Sequence, residues 1–126
     1  SNKIDQAEKY LRLAIATAKK EKDPQLLSFN LRTIADHFNE SEQFLAALEV
    51  VKAIPEQAER NSELGEIFNS LVQREALDQA GAVATEYREP ESRTRSLITL
   101  AQAWMATNQP QKATMMLTLA FQVAQT

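Results

Sequence analysis

Apolar residues fall at i, i+3, i+4 and i+7 over two neighbouring stretches, Leu31, Ile34, Ala35 and Phe38, then Phe44, Ala47, Leu48 and Val51. That spacing lines each set along one face of a helix. The two stretches together read as a helical hairpin, an A helix followed by a B helix. Breakers separate such elements along the chain. Asp23-Pro24 places a capping residue before a proline at the first helical position, and Ser41 is positioned to cap the helix that follows. Ile54-Pro55 and Glu89-Pro90 open later pairs, and Asn108-Gln109-Pro110 divides the last one. The resulting map predicts seven helices, at about 3–21, 24–39, 42–54, 56–73, 76–87, 91–106 and 110–125.

The same pattern returns at a fixed interval. Ala14, Ala47, Ala80 and Ala113 are each 33 residues apart, and other columns keep the step: Leu31, Leu64 and Leu97; Ile34, Ile67 and Leu100; Phe38, Leu71 and Trp104; Ala18, Val51, Ala84 and Leu117. Four further columns of matched size at one lag are hard to obtain by chance, even in an alanine-rich chain. The first helix carries the B pattern through Leu11, Ala14 and Ala18, so the chain opens on half a unit. The organisation expected is a half repeat at 3–21 and repeats at about 24–54, 56–87 and 91–125, forming one repeat domain over 1–126. With Ser1-Asn2 readable as a protease scar, the chain is expected to be a piece of a longer protein.

Composition narrows the class. The 126 residues include 19 Ala but only 2 Gly and 4 Pro, too few turn formers for a β-sandwich or barrel. The absence of cysteine removes disulfides, zinc–thiolate sites and a thiol nucleophile, and the single histidine, His37, removes multi-histidine metal sites. The longest uncharged run, Ala113 to Thr126, has 14 residues and is interrupted by Thr and Gln, so no membrane span is expected. The net charge of −3 conceals a polar distribution: +3 over residues 1–35, −9 over 36–91 and +3 over 92–126. An acidic middle opposes the continuous basic face that nucleic-acid binding requires.

The columns resemble those of tetratricopeptide (TPR) repeats. Within each unit that family has large apolar residues at positions 4 and 7, a small one at 8, a large one at 11, Ala at 20, and further packing residues at 24 and 27. Here these fall on Leu31, Ile34, Ala35, Phe38, Ala47, Val51 and Ile54, and on their counterparts one and two repeats later. The resemblance covers nearly the whole chain. It departs in its period of 33 rather than 34, in a displaced proline near the end of helix B, and in Phe68, which stands in a small-residue column. It implies an all-α fold, an α-α superhelix of about seven antiparallel helices in three and a half hairpins. Helix B of the second repeat, with Ala76, Ala80, Gly81, Ala82 and Ala84, is expected to yield space to Phe68.

No enzyme signature emerges. Asp36 and His37 are adjacent, but the pair reads as part of an exposed helix face. Ser62, Ser70 and Thr99 lack a nucleophile elbow, and Gly65 and Gly81 make no phosphate loop. Glu63, Glu66 and the other acids are spaced like a solvated face. Phe38 and Trp104 read as packing, while Met115 and Met116 cover the end of the core or touch a further repeat. No cofactor or metal is expected. The resemblance directs attention to the concave face, where the candidate partner-binding residues are Phe29, Arg32, Asn39, Asn69, Val72, Arg95, Gln102 and Met105. Arg offers a bidentate fork and Asn both donates and accepts, which suits peptide groups. The basic clamp of the chaperone-binding TPR subclass is not expected, since Asp36 and Glu66 would repel a carboxylate. The expected function is therefore non-catalytic binding of a protein or peptide, one carrying basic residues to suit the acidic middle. The alternative is a structural segment that extends a larger protein or self-associates through Leu119, Phe121, Val123 and the first helix.

Overall fold

In a computed structural model of the chain, whose described residues are 2–126 with the side chains of 2–5 and 7 set aside, seven helices and no strand are present. They are α1 Asn2–Ala18, α2 Pro24–Glu40, α3 Phe44–Lys52, α4 Gln57–Gln73, α5 Leu77–Ala84, α6 Pro90–Ala106 and α7 Pro110–Ala124. The long helices α2, α4 and α6 each have 17 residues and start at 24, 57 and 90; α3, α5 and α7 start at 44, 77 and 110. The 33-residue interval of the sequence is thus an interval of helix starts.

The turn closing each long helix shows why. Gln43 donates its N–H to the Phe38 carbonyl, Ala76 to Leu71 and Gln109 to Trp104, while Glu42, Glu75 and Asn108 donate to Asn39, Val72 and Met105. This pair of bonds is the Schellman motif, which satisfies the last carbonyls of a helix and requires a left-handed residue just beyond it. Glu42, Glu75 and Asn108 take that conformation, with φ of 63°, 59° and 65°. No glycine is used at any of the three turns. Ser41 consequently belongs to the end of α2, where its N–H bonds the His37 carbonyl, and it does not cap α3. At the start of α2 the expected cap is present: Asp23 accepts from the Gln25 N–H at 2.9 Å, with Pro24 in the first turn.

The apolar columns form the core. Leu31, Leu64, Leu97, Ala35, Phe68, Ala101, Phe38, Leu71, Trp104, Ala47, Ala80 and Ala113 are all buried. Full burial of a side chain such as Leu31 or Phe38 contributes about 1.5–3 kcal/mol. The chain falls into two compact units, 1–67 and 68–126, with the division inside α4. In the first, α1 packs on α2 and α3, and Tyr10 of α1 sets its ring edge-on to Phe38 at 6.1 Å between centroids. In the second, α6 packs against α5 and α7. Gly81 of α5 faces Leu100, whose Cδ2 would lie 3.5 Å from an added Cβ, with no atom of Phe68 within 4 Å of that point. The small surface of α5 therefore accommodates Leu100 at this position instead of Phe68.

Candidate functional site

Within the first unit, the flank of α2 that carries Arg32 and Asp36 meets the flank of α4 that carries Glu59, Glu63 and Glu66. Arg32 spreads its guanidinium over all three glutamates: Nη1 to Glu59 Oε2 at 2.7 Å, Nε to Glu63 Oε1 at 3.2 Å and Nη2 to Glu66 Oε1 at 3.5 Å. A planar fork with donors on three nitrogens is the one basic side chain able to do this. Hydrogen bonding to Glu59 holds the Arg32 guanidinium above its ordinary pKa, against the opposing effect of burial, and the charges of Glu59, Glu63 and Glu66 add to the rise.

Glu63 is the unusual member. Its side chain has no solvent exposure, so it does not belong to the solvated face expected from the spacing of the acids. The reason lies in the helix itself: Arg60, Glu63, Leu64 and Ile67 follow i, i+3, i+4, i+7 and are all buried, so that Arg60 and Glu63 lie one turn before the column residues Leu64 and Ile67 on the same face of α4. Extending that face backward by one turn would have pointed to both charged residues. Arg60 places Nη1 against the Ile54 carbonyl at 3.1 Å, and the buried Ser28 Oγ accepts the Glu56 N–H at 3.1 Å, fastening the entry of α4 to α2.

Burial pushes the Glu63 carboxyl up to about 9, reinforced first by Asp36, through a hydrogen bond and its charge, and then by Glu66. The cause is direct: an ionised group removed from water and set beside two other acids is better neutral. As a carboxylate, Glu63 leaves Oε2 buried without a donor. As a carboxylic acid it can donate that proton to Asp36.

The sequence-derived candidates separate into three groups. On α2, Phe29 is 65% exposed beside a depression of about 350 Å³ lined by Gln25, Glu56, Ala58 and Glu59. Arg32 is occupied by carboxylates, and Asn39 is half-buried with its Oδ1 lacking a donor. On α4, Asn69 is exposed and Val72 half-buried. On α6, Glu91, Arg95, Ile98, Gln102 and Met105 form one exposed stripe at i, i+4, i+7, i+11 and i+14. Its N-terminal part borders a groove of about 480 Å³ lined by Pro90, Glu91, Thr94, Arg95, Ile98 and Ala124. Arg95 pairs with Glu91, at 3.0 Å and in the open, an interaction of small energetic weight.

His37 is exposed and stacks its ring near Tyr10 and Phe38, at 6.2 and 5.9 Å between centroids. Asp36 joins Glu63 and Glu66 in the acidic cluster. No helix among the described residues is long and apolar enough to cross a membrane. Comparison with family models, curated proteins and solved structures yields no match.

Proposed function

We propose that this chain is a non-catalytic interaction module of TPR-like helical hairpins that holds a segment of another protein along the exposed stripe of α6. The observation that carries the reading is the pairing of Ile98 and Met105, 42% and 58% exposed on one helix face, with the polar Glu91, Arg95 and Gln102 between and beside them. Apolar side chains of a bound segment would find Ile98 and Met105, and its backbone amides and basic side chains would find Gln102, Arg95 and Glu91. Arg32 has no part in this surface, because its donors serve α4.

Peptide phage display on the immobilised chain, followed by titration of the enriched sequences, tests this. Enriched peptides should lose at least tenfold in affinity against Ile98→Asp/Met105→Asp, with an unchanged helical circular dichroism spectrum. Absence of enrichment, or affinity indifferent to the double substitution, removes the proposal.

A second reading, self-association through the last helix, has its own support. Leu117 is 50% exposed whereas Ala18, Val51 and Ala84 of the same column are buried, and Phe121, one turn further along the same face of α7, is 64% exposed. A helix face this apolar favours contact with another surface. Light scattering would show a dimer or higher species that Leu117→Glu/Phe121→Glu returns to monomer; a monomer at all concentrations excludes it.

A further inference from the structure

Phe29 on α2 is 65% exposed and borders the depression of about 350 Å³ that Gln25, Glu56, Ala58 and Glu59 complete. The fold does not call for an aromatic ring there. Its counterparts one and two intervals of 33 later are Ser62 and Arg95, both exposed, so a polar side chain serves the long helix equally well at this register. Leu26, one turn earlier on α2, is 52% exposed and extends the apolar surface. The part of the depression at the entry of α4 is acidic and held in place: Glu56 donates its N–H to Ser28 Oγ at 3.1 Å, and Glu59 Oε2 accepts from Arg32 Nη1 at 2.7 Å. No basic side chain is among the described residues that line it.

We propose that this cleft receives an arginine side chain of another protein, its guanidinium laid on the Phe29 ring and hydrogen-bonded to Glu56 and Glu59. An arginine answers each part of the lining: its plane stacks on an aromatic face, its fork donates to carboxylates, and its methylenes cover apolar surface such as Leu26. Charge points the same way. Residues 36–91 carry a net −9, and Arg32 is already shared among Glu59, Glu63 and Glu66, so an incoming cation meets carboxylate charge that the chain itself leaves in excess. The volume stands at the small end of the range of ligand pockets, about 300–1,000 Å³, which suits one long side chain. The groove beside α6 provides the contrast within the same chain. There Glu91, Arg95 and Ala124 occupy the positions that Gln25, Phe29 and Ala58 occupy here, and a cation in place of the ring repels an arginine.

The test is an NMR titration of the isotope-labelled chain with an end-blocked peptide, Leu-Ala-Arg-Ala-Leu, and with the same peptide carrying citrulline for arginine, which keeps the shape and loses the charge. The arginine peptide should move the amide signals of Phe29, Glu56 and Glu59 saturably, and its affinity should fall as salt is added. The citrulline peptide should bind about tenfold more weakly, as should the arginine peptide to Phe29→Leu or Glu56→Gln, each change removing one charge-assisted or cation–ring contact while the helical spectrum is kept. Four results overturn the proposal: no saturable shift at about 10 mM peptide, equal affinity for the arginine and citrulline peptides, affinity unchanged in the two variants, or shifts confined to Arg95, Ile98, Gln102 and Met105. The last of these would assign the peptide to the α6 stripe, whose own test does not depend on Phe29.

Discussion

Arg32 Nε stands 3.2 Å from Glu63 Oε1, joining a half-exposed cation on α2 to a carboxyl on α4 that has no contact with solvent. Such a contact is costly to break, because removing the guanidinium leaves a buried acceptor and two flanking carboxylates without their shared donor. Arg32→Met should cost about 1–3 kcal/mol, read as a lowered melting temperature. Arg32→Lys should recover only part of it, since an ammonium cannot span Glu59, Glu63 and Glu66 together. A lysine variant as stable as the parent would show that the forked geometry is unimportant.

Glu63 makes stability fall as pH rises. Its carboxyl ionises near 4.5 when unfolded and at about 9 in the folded chain, so between those values the folded state holds a proton that the unfolded state has released. Stabilisation from this group is complete below the lower value and is lost progressively toward the upper one. Melting temperatures should decline from pH 5 to 9, and Glu63→Gln should flatten the decline. The opposite slope, or an identical slope in the variant, would assign the pH dependence to other groups.

Gly81 lies inside α5 without positive φ, so its missing side chain confers no conformational benefit. An alanine Cβ would meet Leu100 at an ordinary contact distance of 3.5 Å. Gly81→Ala should therefore stabilise by about 0.5–1 kcal/mol. Gly81→Leu should destabilise by about 1–3 kcal/mol through overpacking against Leu100. Chemical denaturation of the pair gives the two signs; a destabilised alanine variant would mean the helices cannot take even one methyl group.

At Glu42 and Glu75 a side chain with Cβ sits in the left-handed region, at φ of 63° and 59°. Glycine there relieves a cost of about 1–2 kcal/mol but enlarges the unfolded ensemble. Glu42→Gly and Glu75→Gly should each gain a net of about 0.5–1 kcal/mol, and Asn108→Gly less, because asparagine tolerates this conformation better. Melting temperatures that rank the three in the reverse order would place the cost elsewhere.

Helix starts were legible because their causes are local. Asp23-Pro24, Glu89-Pro90 and Pro110 act within one turn, and most residues of the columns at an interval of 33 are buried, with Ala14 and Ile34 half-buried and Leu117 exposed. The Schellman closures were less so: nothing in Ser41-Glu42-Gln43 announces a left-handed glutamate, and Ser41 is as good a start signal as a stop. Glu63 and Arg32 were legible only as charges. Their roles depend on which flank of α4 turns toward α2, a tertiary fact that helical periodicity bears on only when the charged residues of the buried face are counted with the apolar ones. The exposed stripe of α6 was partly anticipated through Arg95, Gln102 and Met105, since an unburied face of an amphipathic helix follows from knowing the buried one.

The glycine-free closures at 42, 75 and 108 also shape the chain when it is not folded. Glutamate and asparagine explore fewer backbone states than glycine, so each bend begins its search already narrowed, and the entropy surrendered on closing it is smaller. Because one closure recurs at one interval, the hairpins of this chain share nearly the same local folding problem. The 33-residue unit is therefore suited to being copied, inserted or deleted as a piece, with the bend at its middle requiring no new solution.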